Sequence, residues 1–206
     1  MNRRSRPPAK KRPYVLKARG EQVAETRARI VAATVALHEE VGPRRTTIKA
    51  IAERAGVERL TVYRHFPDER AVVQACSAGW SADHPPPDPG SWQAEADPLG
   101  RTRRALTELY GYFGDNQRML QQVHRDIPEM AALAEVTAPF HHYLQGVADD
   151  LLAAWTRAGK AGPDLAAVLA QSVRFETWSL LHAAGWSNAR KTSLLLQWIQ
   201  ALATGR

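Results

Sequence analysis

The stretch that most constrains the fold is residues 46–73, TTIKAIAERAGVERLTVYRHFPDERAVV, which predicts three short helices. Thr46 and Thr47 are good helix N-cap residues, because a threonine hydroxyl can accept a hydrogen bond from a free backbone amide. Gly56 can end the first helix in the left-handed conformation without a Cβ clash. Two short helices joined by a tight glycine-containing turn form a helix-turn-helix.

The second helix of this motif has an apolar side and a polar side. Val62 and Phe66 lie four residues apart and predict its buried side. The side chains predicted to point outward suit contacts with bases and phosphates: Arg59, Leu60, Thr61, Tyr63, Arg64 and His65. Leu60 could reach a thymine methyl group in the major groove, or it could pack sideways on Ile48 or Lys49.

The run AIAERAGVERLTVYRHFPDERAVV resembles the DNA-binding signature of the TetR family of bacterial transcriptional regulators. The alternative is a generic helical hairpin within a core. Three positions depart from the family pattern: Glu58 replaces a capping serine, Leu60 replaces a small residue, and Glu69 replaces a lysine that contacts phosphate, a role in which Arg70 could substitute. The matching positions are Thr46, Thr47, Ile51, Ala52, Ala55, Gly56, Val57, Thr61, Val62, Tyr63, His65 and Phe66.

The resemblance implies how the motif contacts duplex DNA. Tyr63 and His65 match family positions that contact phosphates, and Thr46 and Thr47 lie at a helix N-terminus, which favours phosphate. Arg59, at the start of the recognition helix, can bind the O6 and N7 atoms of guanine. Arg44 and Arg45, which directly precede Thr46, lie where phosphates would run, although they could simply be exposed charges. Arg64 belongs to the outward set that suits bases and phosphates, and Arg70 could take the place of the missing lysine. The expected partner is a palindromic operator.

The positive charge of the chain is concentrated at its N-terminus. The net charge is +7, and residues 1–20 are rich in arginine and lysine and contain no acidic residue, so the rest of the chain is nearly neutral. We predict a disordered basic arm over residues 1–20, either solvated or lying along phosphates or in the minor groove. A DNA-binding domain would follow over residues 21–82, with a first helix over residues 23–41.

Composition limits the class of protein. Helix-forming residues are abundant and strand-like alternation is nearly absent, so the predicted fold is all-α. The single cysteine, Cys76, excludes an internal disulfide and fits a reducing cytoplasm. We expect no membrane partner, because neither a secretory signal nor an apolar run of about 18 residues is present.

A second helical domain is predicted after a proline-rich linker over residues 83–98. Within residues 99–206 we expect a helix over 101–115, one or two short helices over 116–134 that are broken at Pro128, and then a long helix through Trp155 that Gly159 and Gly162 end. The last two helices, residues 163–184 and 188–203, are apolar on more than one side, which implies a partner surface. In the family, the last two helices form a four-helix bundle with their copies, so we predict a homodimer through residues 163–203.

Aromatic residues are frequent in the second domain and could form either a core or the wall of a ligand cavity. The resemblance favours a small-molecule effector site, for which the candidates are Phe113, His124, Phe140, Tyr143, Trp155 and Trp178. Polar groups that could orient such a ligand are His124, Arg118, His142 and Arg174.

Signatures of catalysis were sought in the sequence and not found. His141 and His142 are adjacent and therefore point in different directions from a helix, so no metal site is predicted. Phosphate-binding loops and nucleophile motifs are absent from the sequence, and no cofactor is expected. The predicted function is a DNA-binding regulator, most often a repressor in this family, released from its operator by an effector. The alternatives are a regulator without a small-molecule effector and, less favoured, an enzyme with a DNA-binding head.

Overall fold

The computed structural model describes residues 12–204, and the side chains from residue 19 onward. This part of the chain contains eleven α-helices and no strand, which confirms the all-α fold. The helices are α1 Arg12–Val41, α2 Ile48–Ala55, α3 Arg59–His65, α4 Glu69–Asp83, α5 Gly90–Gln93, α6 Pro98–Asp115, α7 Gln117–Asp126, α8 Ala131–Arg157, α9 Pro163–Ser172, α10 Phe175–Ala183 and α11 Asn188–Thr204.

The first helix is longer than predicted. A basic arm was predicted over residues 1–20, and its residues 1–11 lie outside the described part of the chain. Residues 12–20 are helical and continue into the rest of α1. Pro13 does not prevent this, because a proline is tolerated in the first turn of a helix. Gly20 lowers helix propensity by only about 1 kcal/mol and does not stop α1.

One hydrophobic cluster joins α1, α2, α3 and the start of α4. Its members are mostly aliphatic and come from a short stretch of sequence: Ile30, Ala33, Leu37, Ile51, Ala52, Ala55, Val62, Phe66 and Val72. Ala52 and Ala55 are small, so α2 can approach its neighbours closely. This cluster fixes the orientation of the helix-turn-helix on α1.

A second cluster forms the core of the carboxy-terminal helices and is richer in aromatic residues. It is built mainly from α6, α8, α9, α10 and α11, and its largest members are fully buried: Trp92, Tyr110, Phe113, Phe175 and Trp178. Trp92 comes from the predicted linker, which contains the short helix α5. The linker is therefore docked on the core through one aromatic side chain.

The structure corrects the prediction of a single helix over residues 163–184. The helix breaks after Ser172, and α10 begins at Phe175. The Tyr110 hydroxyl donates a hydrogen bond of 2.8 Å to the carbonyl oxygen of Ser172. This carbonyl lies at the end of α9, where the last four carbonyls lack helical partners, so the buried tyrosine stabilises the break. No glycine or proline marks the position in the sequence.

Helix α8 runs from beside α4, which follows the helix-turn-helix, into the carboxy-terminal core. It follows a 3-10 turn, Ile127–Glu129, in which Pro128 interrupts the preceding helix as predicted. Pro139 lies inside α8 and cannot donate a backbone hydrogen bond to the preceding turn.

Candidate DNA-binding surface and internal cavity

The turn between α2 and α3 has the conformation that its glycine predicts. Gly56 adopts φ 64° and ψ 42°, in the left-handed region. The amide of the next residue, Val57, donates a 3.0 Å hydrogen bond to the carbonyl of Ala52. The hydroxyl of Thr47 accepts a hydrogen bond from the amide of Ala50 at 3.1 Å and caps α2. The Thr46 hydroxyl instead donates to the carbonyl of Gly42, so only one of the two threonines caps the helix.

Helix α3 separates its apolar and polar sides as the sequence predicts. Val62 and Phe66 are buried, with exposed fractions of 0% and 2%. On the other side, Leu60 and Tyr63 are exposed by 57% and 50%. Glu58 precedes α3 at the N-cap position, but its side chain makes no capping hydrogen bond. The exposure of Leu60 favours an outward role over packing on Ile48 or Lys49.

Most of the predicted DNA-contacting residues share this exposed surface. Arg45, Arg59 and Arg64 are exposed and, within the described residues, have no ion-pair partner. His65 and Thr61 are partly exposed at its edge. Arg59 and Arg64 lie on α3 itself, and their unpaired guanidinium groups give its exposed side a positive charge that suits a polyanion.

Arg44 and Arg70 differ from the other predicted arginines. Arg44 makes a bidentate pair with Glu129, with N–O distances of 2.9 Å and 2.7 Å. Arg70 pairs with Glu135 of α8 at 2.6 Å. Both guanidinium groups therefore contact the carboxy-terminal part of the chain.

The backbone around Gly42 forms the tightest junction between the two halves of the molecule. The Arg44 amide donates a 3.0 Å hydrogen bond to the buried carboxylate of Asp126. Arg125 donates to that carboxylate at 2.7 Å and to the Val41 carbonyl at 3.1 Å. Burial opposes the charge of Asp126, but hydrogen bonds from Arg125 and the Arg44 amide hold its pKa below the usual value. Gly42 has φ 93°, and a Cβ there would lie 2.1 Å from an Arg125 nitrogen.

A cavity of about 250 Å³ lies between α1 and α4 on one side and α6, α7 and α8 on the other. Its wall is mostly apolar and aromatic, with Trp80 from α4, Tyr112 from α6, and Phe140 and Tyr143 from α8. The wall residues contain no lysine, arginine, aspartate or glutamate.

Two buried polar side chains of the cavity wall, His38 and Cys76, are neutral. His38 and Cys76 contact each other, with 3.4 Å between Nδ1 and Sγ. Burial lowers the pKa of His38 to about 4 and raises that of Cys76 to about 12, so both side chains are uncharged at neutral pH. The Trp80 indole N–H, which is buried, has no hydrogen-bond partner among the described residues.

The structure brings only part of the predicted effector set to this cavity. Phe140 and Tyr143 line it, whereas Phe113, Trp155 and Trp178 lie in the carboxy-terminal core and are 3% exposed or less. The Trp155 indole donates to Thr102 at 3.1 Å, and the Trp178 indole donates to Asn188 at 2.9 Å. These two tryptophans are therefore satisfied as core residues.

The predicted polar candidates also lie away from the cavity wall. His124 pairs with Glu176 at 3.3 Å and packs against Phe175. Arg118, His142 and Arg174 are exposed. His38, Cys76 and Trp80 line the cavity but were not among the residues predicted to do so. The recurrence of Val73, Cys76, Ser77 and Trp80 at helical spacing along α4 was the available signal.

The last two helices expose apolar side chains in this single chain. Leu180 of α10 is 74% exposed, and Trp198 and Leu202 of α11 are 53% and 39% exposed. Leu195 and Ile199, in contrast, are 3% and 0% exposed and pack in the core. The exposed apolar surface of α10 and α11 is therefore smaller than the surface predicted from the sequence.

None of the helices within residues 12–204 is both long enough and apolar enough to cross a membrane. The same residues contain no group of three or more histidine, cysteine, aspartate or glutamate side chains arranged to hold a metal ion.

Comparison with known proteins identifies the amino-terminal part of the chain. Residues 30–76 match the family model of the bacterial regulatory proteins of the tetR family. The chain is 38% identical over 92 residues to the HTH-type transcriptional regulator TtgR of Pseudomonas putida. The aligned stretch covers 44% of this chain and 43% of that protein. The chain is 40% identical over 60 residues to an uncharacterised HTH-type transcriptional regulator of Mycobacterium tuberculosis, covering 29% of this chain and 32% of the relative. The matches thus span less than half the length of these relatives.

Solved structures resemble the chain over most of its length. A TetR-like transcriptional regulator from Rhodococcus sp. RHA1 has a TM-score of 0.57 and 18% identity, covering 86% of this chain and 93% of that one. A linker-substituted variant of the protein HlyIIR has a TM-score of 0.61 and 16% identity, covering 85% of this chain and 95% of the other. Because the sequence identity is so low, these likenesses establish the fold alone.

Proposed function

This chain has the amino-terminal domain and the fold of the TetR family, and from that premise we propose that it is a homodimeric transcriptional regulator that binds a palindromic DNA operator. The observation that carries the proposal is the exposed side of α3, where Arg59, Leu60 and Tyr63 project beside unpaired arginines. A helix of this kind enters the major groove, and its first turn contacts the base edges most closely.

The contacts divide into those that read bases and those that hold the backbone. Arg59 lies in the first turn of α3, where a guanidinium can pair with guanine O6 and N7. Leu60 offers an exposed apolar group to a thymine methyl. Tyr63 and His65 lie further along the helix and, with Arg45, Thr47 and Arg64, are assigned to phosphates. Phosphate contacts fix the register and do not depend on sequence.

The proposed division is tested by comparing two variants on a panel of single-base changes in a selected operator. Arg59→Ala should relax the preference at one base position in each half-site, at a cost of about 1–3 kcal/mol for the preferred base. Tyr63→Phe should weaken binding to all duplexes about equally. Uniform weakening by Arg59→Ala would show that this arginine contacts phosphate instead.

We propose that the protein acts as a repressor and that a small molecule in the cavity releases it from DNA. The cavity lies between α4, which follows the DNA-binding motif directly, and α8 of the carboxy-terminal core. A ligand that binds better to the non-DNA-binding arrangement would shift the population toward it. The absence of charged residues from the wall and the neutral state of His38 favour an uncharged, largely apolar ligand with an acceptor for the Trp80 indole.

The effector assignment is tested with Trp80→Phe, which keeps an aromatic ring and removes the indole N–H. Ligands that release the wild-type protein from DNA should lose affinity for this variant, while its DNA affinity without ligand should be unchanged. Trp178→Phe is the matched control, because that indole donates to Asn188 within the core. An effector response altered by Trp178→Phe and not by Trp80→Phe would place the ligand elsewhere.

Dimerisation is assigned to the exposed apolar side chains of α10 and α11. Leu180, Trp198 and Leu202 are suited to a second copy of the same surface, and an isologous contact is the usual arrangement in dimers. Trp198→Glu with Leu202→Glu should give folded monomers in sedimentation at micromolar concentration. Glutamate at Leu195 and Ile199 should unfold the chain, because both are core residues. A wild-type monomer would contradict the assignment.

A regulator without a small-molecule effector is the second candidate. The observation that favours it is the volume of about 250 Å³, which is below the usual range of ligand pockets, about 300–1,000 Å³. Native mass spectrometry of the purified protein separates the two candidates, because a co-purified small molecule would support effector control.

A further inference from the structure

Two arginines of the predicted DNA-contacting set are held by acidic residues of the carboxy-terminal half. Arg44 stands just before α2, and Arg70 lies in the first turn of α4, so the two flank the helix-turn-helix in sequence. Glu129 ends the 3-10 turn before α8, and Glu135 lies in the first turns of α8. The two ends of one short segment, residues 129–135, therefore contact the arginines that flank the helix-turn-helix.

The Arg44–Glu129 pair is bidentate, an arrangement that an arginine also adopts with phosphate. Arg44 and Glu129 share two N–O contacts, 2.9 Å and 2.7 Å, and Arg70 and Glu135 are 2.6 Å apart. An arginine fork binds a carboxylate and a phosphate in the same bidentate manner. The nitrogens that pair with Glu129 or Glu135 are then unavailable to DNA.

We propose that Glu129 and Glu135 form an autoinhibitory clamp that competes with DNA phosphates for Arg44 and Arg70. This inference rests on the proposed DNA-binding function. In the closed state each carboxylate neutralises one arginine and adds a negative charge beside the DNA-binding surface. Binding to a duplex opens the clamp, and both arginines transfer to phosphates.

The strength of the pairs makes this competition reversible. All four side chains are about half exposed, between 48% and 60%. Exposed pairs are weak, and a duplex with its high density of charge can displace the carboxylates. The clamp thus lowers affinity for every sequence without preventing binding.

The segment that carries the clamp also forms part of the cavity. Leu133, Val136 and Thr137 line the cavity from the same turns of α8 that carry Glu135. The Arg70–Glu135 pair therefore joins α4 and α8, two helices that both contribute to the cavity wall.

The test measures binding of the full chain to a mixed-sequence duplex of about 30 base pairs, long enough for two half-sites one helical turn apart. Glu129→Gln and Glu135→Gln should each raise the affinity about two- to fivefold at low salt. The double variant should bind more tightly still, with a salt slope close to that of the wild type, because the clamp opens on binding and both complexes then have the same phosphate contacts. Glu40→Gln is the control, because this substitution removes the same charge. Glu40 pairs with Arg54 at 2.6 Å within the DNA-binding domain and does not belong to the clamp.

A double-mutant cycle separates the clamp from a general charge effect. In an Arg70→Gln background, Glu135→Gln should give a clearly smaller gain than in the wild type, because no arginine is left to free and only the repulsion between the carboxylate and DNA is removed. An equal gain in that background, or an equal gain from Glu40→Gln, would overturn the clamp. Reduced affinity on loss of either glutamate would show that the acids position the arginines for DNA. If the wild type and all variants fail to bind duplex at low salt, the proposed function itself fails.

Discussion

The two hydrophobic cores of this molecule are built in different ways. The core of the DNA-binding domain consists mainly of alanine, valine, leucine and isoleucine, and all of its buried members lie within residues 30–72. The carboxy-terminal core draws on residues from Trp92 to Ile199 and contains a group of touching aromatic rings. Packing in the first core follows from local helical spacing, whereas packing in the second depends on which distant rings meet.

The largest effect is expected from removing a ring from the aromatic core. Phe113→Ala should lower the free energy of unfolding by about 3–5 kcal/mol. Phe113 makes edge contacts with Phe175 and Trp178, at centroid distances of 5.6 Å and 6.2 Å. The same substitution at Phe66, the one ring among the buried members of the other core, should cost about 0.5–1.5 kcal/mol less, because such ring contacts are fewer there. Urea unfolding measures both, and equal losses would contradict the contrast between the cores.

Gly42 tests the junction between the two cores. Gly42→Ala should cost about 1–3 kcal/mol, because φ is 93° and the new Cβ would meet Arg125 and Asp126. Gly56→Ala should cost less, about 1–2 kcal/mol, since its φ is also positive but no atom lies within 4 Å of the Cβ position.

Gly111→Ala is the matched control for these glycines. It lies within α6, with no atom within 4 Å of the added Cβ, and should stabilise the protein by about 0.5–1 kcal/mol. Thermal unfolding of the three variants gives the order of their stabilities directly. A smaller loss at Gly42 than at Gly56 would show that the junction adjusts at little cost.

A pH dependence is expected from His38, which connects α1 to the cavity. Burial lowers its pKa to about 4, so the folded protein keeps the imidazole neutral, while the unfolded chain protonates it below its ordinary pKa of 6.5. The free energy of unfolding should therefore fall as the pH decreases from 6.5 to 4, by at most about 1.4 kcal/mol for each pH unit.

The variant His38→Leu isolates this contribution. Burial also lowers the pKa of His141, which acts in the same direction, so the relevant quantity is the difference between wild type and variant. Glu176, whose pKa is lowered to about 2 chiefly by a hydrogen bond from His124, loses its contribution only as the pH falls from 4.5 toward 2. An unchanged slope in His38→Leu would contradict a neutral buried imidazole.

The smallest expected effects concern the helix caps of the DNA-binding motif. Thr47→Ala should cost about 1 kcal/mol, because it removes the hydrogen bond to the Ala50 amide. Glu58→Ser should stabilise α3 by about 0.5–1 kcal/mol, since Glu58 makes no capping hydrogen bond. Chemical unfolding with both variants gives the comparison, and a stabilising Thr47→Ala would show that capping does not limit α2.

The contrast between the cores also explains what the sequence could predict. The helix-turn-helix follows from local signals: Gly56 ends α2, Val62 and Phe66 face inward, and Asp68 caps α4. The all-α fold and the ends of α6 and α8 follow from similar patterns. The predicted domain boundaries stay a prediction.

Long-range contacts account for what the sequence did not predict. The break after Ser172 depends on the Tyr110 hydroxyl, which lies 62 positions away in the chain. The pairing of Arg44 with Glu129 and of Arg70 with Glu135 joins residues whose proximity no local pattern indicates. Trp155 and Trp178 are of a residue type that often lines ligand sites, but both form hydrogen bonds within the core. The assignments of individual DNA- and effector-binding residues stay predictions.

Cys76 offers a practical route to the geometry of the proposed dimer. It is the one cysteine in the sequence, it is buried, and its thiol pKa is about 12, so it should react little with thiol-directed probes at neutral pH. A single exposed substitution outside the DNA-contacting set, Glu53→Cys in α2, would then carry the only reactive thiol on each chain. Two spin labels in a dimer would report the distance between the two helix-turn-helix motifs directly, with and without DNA. The native chain thus already provides the chemically silent background that such distance measurements require.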